Sequence, residues 1–87
     1  MQAWIGLTVA DVLEACGTPY AEVSLFDDPP GKLRAVEFDC RQGRSPRHTV
    51  LVLRYHHGLF DIGRAWSRAL VEAQVVERVL DSARDLA

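Results

Sequence analysis

The stretch Gly6–Pro19 constrains the fold of this chain more than any other part of it. The Thr8 hydroxyl can accept from the backbone N–H of Asp11, while the Asp11 carboxylate can reach back to the N–H of Thr8. That is a capping box with Asp in place of the usual Glu or Gln. Leu7 and Val12 occupy the staple positions that fix the entering chain. Val9, Val12, Leu13 and Cys16 then recur at i, i+3, i+4 and i+7, one apolar helical face. Gly17 supplies a left-handed cap and Pro19 prevents continuation. The spacing predicts a two-turn helix fixed at both ends.

The middle of the chain reads as strands. In Tyr20–Phe26, Ala21, Val23 and Leu25 alternate with Glu22 and Ser24, the period-two pattern of a half-buried strand. Asp27-Asp28-Pro29-Pro30-Gly31 is turn chemistry. Leu33–Cys40 places Val36, Phe38 and Cys40 on one face, with Glu37 and Asp39 on the other. After a polar loop, Thr49–Tyr55 is a continuous β-branched and aliphatic run, the mark of a strand covered on both sides. Short connections make these three strands an antiparallel meander.

Beyond His56-His57-Gly58, Asp61 can cap a long helix to about Arg84. Its main stripe is Ile62, Trp66, Ala69, Leu70, Ala73, Val76, Leu80 and Ala83, at helical spacing. The expected fold is therefore α+β: a short N-terminal helix, a three-stranded antiparallel meander, and a long C-terminal helix packed on one sheet face. Val23, Leu25, Val36 and Phe38 are expected to meet Trp66, Leu70, Ala73 and Val76 in that core.

Eighty-seven residues make a single domain, since two cores of half that size would be too small to hold together. A net charge of −2 supplies no field drawing the chain to nucleic acid or an anionic membrane, so neither is an expected partner. The N-terminal residues have no basic n-region or long apolar run, so no signal peptide is expected. Leu13-Glu14-Ala15-Cys16 has the outline of a lipoprotein box, but Asp11 and Glu14 do not suit one. No stretch approaches the roughly 20 apolar residues of a membrane span. The expected address is cytoplasmic, with Cys16 and Cys40 read as buried thiols acting as small hydrophobes.

The candidate chemistry is thin. His56 and His57 are adjacent and would point to opposite faces of a strand, so only one could join His48, Cys40 or Asp39. Such a set falls short of the four ligands of a structural zinc site, and no metal or other cofactor is expected. No Gly-x-Ser-x-Gly elbow is present. A Cys40–His48 dyad is conceivable across the hairpin, but Cys40 continues an apolar face where a thiol is inert. Glu37 and Asp39, about 7 Å apart along one strand face, fit a solvated surface better than an acid–base pair. No enzymatic activity is expected.

Two surfaces remain. Val71, Val75 and Val79 form a second stripe on the expected long helix, bordered by Arg64, Arg68, Glu72 and Arg78. Such a seam packs helix on helix, either against the first helix of the same chain or against a partner; on the second reading Val71, Val75, Val79, Arg68 and Glu72 are the expected partner-binding residues. The loop carrying Arg41, Arg44 and Arg47 is an alternative site, for a nucleic acid or another anionic ligand.

Gly6-Leu7-Thr8, Asp11-Val12 and Gly17-Thr18-Pro19 together resemble the signature of the SmpA/OmlA (BamE-like) proteins, over residues 6–55. In that group, and in the related β-lactamase-inhibitor fold, a helical cassette precedes a small antiparallel sheet. The resemblance implies a scaffold for binding proteins rather than for catalysis. The expected function is a non-enzymatic interaction or accessory module, either homodimeric through the last helix or bound to a larger protein partner.

Overall fold

A computed structural model of the chain describes residues 2–26, 33–57 and 66–86. Helix α1 spans Val9–Cys16. Its capping box is complete: Asp11 N–H donates to Thr8 Oγ1 at 3.2 Å, and Thr8 N–H donates to Asp11 Oδ2 at 3.3 Å. Gly17 ends the helix at φ 66°, a left-handed conformation that a Cβ would strain, and its N–H bonds back into the last turn.

Among the described residues four strands, not three, form one antiparallel sheet in the order β1-β2-β3-β4. They are β1 (Ser24–Phe26), β2 (Leu33–Cys40), β3 (Arg47–His57) and β4 (Val76–Leu80). Val36 pairs with Leu51, and these two share one face with Phe38, Cys40 and Leu53. Val9, Val12, Leu13 and Cys16 of α1 pack on that face and complete the core, together with Trp4, Leu33, Val71 and Val76. On the reverse face Ala35, Val50 and Val52 are buried as well, so the centre of β3 is enclosed on both sides. The first strand is shorter than the alternation suggests, because Pro19 begins a 3-10 turn over Tyr20–Glu22. The Asp27–Gly31 turn lies outside the described residues.

The expected long C-terminal helix is not formed. Its proposed start at Asp61 and Ile62 lies outside the described residues. The remainder divides into α2 (Arg68–Glu72), β4 and a 3-10 turn over Ala83–Leu86. Ser67 caps α2, its Oγ accepting from Leu70 N–H at 3.1 Å. The physical reason lies in Val75-Val76-Glu77-Arg78-Val79-Leu80, whose β-branched residues favour a strand, and in β3, whose edge β4 covers. A single helix would have left one of its two apolar stripes without cover. Of the expected core contacts, Val36, Phe38 and Val76 are core residues, and Val23, Leu25 and Trp66 pack against them. Leu70 is half-buried and Ala73 is exposed. Among the described residues it is α1, not a long C-terminal helix, that supplies the main helical layer.

The N-terminal segment closes against the start of β4. Gly6 N–H donates to Val76 C=O at 2.9 Å, Val76 N–H to Leu7 C=O at 2.8 Å, and Val9 N–H to Gln74 C=O at 2.9 Å. Among the described residues, no helix is long and apolar enough to cross a membrane.

Cys16 and Cys40 are not free thiols but a disulfide, with Cα atoms 4.8 Å apart. One ends the core face of α1 and the other ends the core face of β2, and packing those faces together brings the sulfurs into contact. Arg41 N–H donates to Cys16 C=O at 2.9 Å, and the buried Thr18 hydroxyl donates to Asp39 C=O at 2.8 Å. Covalent and hydrogen-bonded links thus converge at one joint.

Candidate functional site

A groove of about 490 Å³ runs between the C-terminal end of α1 and α2. Leu13, Glu14, Thr18 and Tyr20 form one wall, and Arg68 and Glu72 form the other. The local sequence builds it directly. Gly17 turns the chain out of α1, Pro19 starts the 3-10 turn, and that turn sets Tyr20 facing α2. On α2, Arg68 and Glu72 stand four residues apart and so lie on the same side of the helix.

Arg68 Cζ sits 5.3 Å from the centroid of the Tyr20 ring. Its Nε donates to Glu72 Oε2 at 3.2 Å. The ring therefore carries a guanidinium on its electron-rich face, an attraction of roughly 0.5–1 kcal/mol at exposed sites. Partial burial pushes the Tyr20 hydroxyl above its ordinary pKa. The negative charge of Glu72 adds to that rise, and Arg68 opposes it.

The structure separates the residues expected to form a partner seam. Val71 is fully buried in the core. Val75 is half-buried and bridges to Thr8, while Val79 is half-buried in β4 opposite Leu51. These valines occupy three different structural settings, so the expected helical seam does not exist. Arg68 and Glu72 remain accessible, and it is they that line the groove. Tyr20, Glu14 and Thr18 do not stand out in the sequence as site residues. The signal available is an aromatic residue directly after a Gly-x-Pro helix exit.

The arginine loop does not gather its charges at one place. Arg41 is gripped by both carboxylate oxygens of Glu22. Arg47 faces Asp81 across the sheet at 3.6 Å. Arg44 alone of the three has no carboxylate partner among the described residues. Two of the three guanidinium groups thus point apart, each toward its own acid.

His48 lies on the reverse face of the sheet from Cys40, so the conceivable dyad is not formed; Cys40 is in any case bonded to Cys16. His48 instead stands between two carboxylates, with Nε2 2.5 Å from Glu37 and Nδ1 3.4 Å from Asp39. Both ring nitrogens therefore face carboxylates, across contacts on an exposed part of the sheet. The side chains of His56 and His57 are outside what the structure describes.

The chain matches no protein-family model, no curated protein and no solved structure.

Proposed function

We propose that this protein is a non-catalytic interaction module that receives a segment of a protein partner in the groove between α1 and α2. The observation that carries this reading is the lining. A wall formed by Leu13 and the Tyr20 ring is bordered by Glu14, Arg68 and Glu72, a mixture suited to gripping a peptide. Tyr is among the residue types most often found to anchor protein contacts. The resemblance to BamE-like scaffolds agrees with binding rather than catalysis, as an analogy of fold and not of site.

The Cys16–Cys40 bond supports an oxidising compartment in place of the expected cytoplasmic address, because buried structural disulfides persist where thiols are not kept reduced. Alkylation of denatured protein taken directly from its source cells, without reductant, should leave both sulfurs unmodified. Two alkylated cysteines would return the protein to a reducing compartment.

The groove is tested by affinity capture with three forms of the protein. Wild type and His48→Ala, altered on the far side of the sheet, should retain the same partner, while Tyr20→Ala should not. Retention by Tyr20→Ala equal to wild type would remove the groove as the contact.

A further inference from the structure

We infer that the groove is an arginine-accepting site: an incoming basic peptide places a guanidinium between the Tyr20 ring and Glu72, where Arg68 now stands. This deepens the proposed function and rests on it. Two features of the lining favour a cation. Glu14 and Glu72 outnumber Arg68. The face of Tyr20 attracts positive charge, as its contact with Arg68 demonstrates.

A guanidinium suits the site better than an ammonium. It is flat, so it can lie on the ring while its edge donates to a carboxylate, which a compact ammonium does less well. Arg68 already adopts that arrangement, but holds it loosely. It donates to Glu72 through Nε alone, and its side chain is 67% exposed. Its order on the helix, cation before anion, is also the weaker one for an i, i+4 pair. An incoming arginine can therefore replace Arg68 at the ring, and Arg68 can swing into solvent without being left buried and unpaired. Arg68 is thus an internal competitor for the site it helps to line.

The test uses the full chain with its disulfide intact and the capped tripeptides acetyl-Gly-Arg-Gly-amide and acetyl-Gly-Glu-Gly-amide, at low ionic strength. Backbone amide shifts are followed by NMR. The arginine peptide should move resonances in Leu13–Tyr20 and Arg68–Glu72, and Arg68→Ala should bind it about fivefold more tightly once the competing contact is gone. Glu72→Gln should weaken it. No response to the arginine peptide in either wild type or Arg68→Ala overturns the inference. So does tighter binding of the glutamate peptide, which would make Arg68 a contact for an anion. The two readings fail separately. If partner capture depends on Tyr20 but the arginine peptide neither binds nor competes, the cation inference falls and the groove remains. If capture is indifferent to Tyr20, the groove itself falls.

Discussion

Cys16 and Cys40 are joined where the last turn of α1 meets the end of β2, and Arg41 N–H and the Thr18 hydroxyl reinforce the joint. The bond closes a span of 24 residues. In the chain-entropy account that restricts the unfolded ensemble by about 3–4 kcal/mol, a large share of the stability of so small a domain. Replacing both cysteines by alanine should lower the melting temperature by roughly 12–30 °C. The near-native amide spectrum should persist, because the hydrogen bonds at the joint remain. An unchanged melting temperature would show that the bond contributes nothing to stability.

Val71 and Arg68, neighbours on the expected seam, should behave differently when altered. Val71 is fully buried, so Val71→Ala should destabilise the fold by about 2 kcal/mol in urea titration. Arg68 makes only exposed contacts, so Arg68→Ala should change stability by less than about 1 kcal/mol. Equal effects at the two positions would contradict their placement.

Thr8 caps α1 through its hydroxyl, which Asp11 N–H reaches at 3.2 Å. Thr8→Ala removes that acceptor and should destabilise the protein by about 1 kcal/mol, with Thr8→Ser restoring most of the loss. Failure of serine to rescue would move the effect from the cap to the threonine methyl.

The hydroxyl of Tyr20 has a raised pKa because burial, and then Glu72, oppose its ionisation. The fold therefore favours the neutral phenol. That contribution is fully present below the ordinary tyrosine value of 10.0 and is lost as pH rises through the higher folded value. Wild type should lose stability over this alkaline interval more steeply than Tyr20→Phe, measured by urea unfolding at stepped pH. Parallel curves would exclude Tyr20 as the source.

The legible parts of the fold are those with local causes. Thr8, Asp11, Gly17 and Pro19 define α1 through contacts within a few residues, and the structure shows those contacts. The continuous run Val50–Leu53 announces a strand enclosed on both faces. The C-terminal third misleads because its apolar residues run at threes and fours straight across a junction, from Leu70 and Val71 in the short helix α2 to Val76, Val79 and Leu80 in β4. Two elements thus carry what looks like the pattern of one helix. Within β4 a bulge at Glu77 places Val76 and Val79, from the two expected stripes, on one face. The disulfide and the groove are hidden for a different reason. Both depend on how α1 settles against elements distant in sequence, and no local pattern states that. Arg68 and Glu72 are identified in the sequence through a helical seam that does not exist, yet the short helix they do occupy keeps them on one side.

The bonds from Gly6, Leu7 and Val9 to residues 74–76 also bear on how the protein is made. During synthesis Gly6, Leu7 and Val9 must wait until residues 74–76 have been made before they find these partners. Until then the Leu51–Leu53 stretch of β3 presents an apolar, unpaired backbone edge, the kind of surface on which nascent chains adhere to one another. Of the four described strands, β4 follows β3 in the chain and is the one that covers it. Folding should accordingly be a late, single closure driven by non-local contacts, with the early helix held in readiness rather than acting as a finished nucleus.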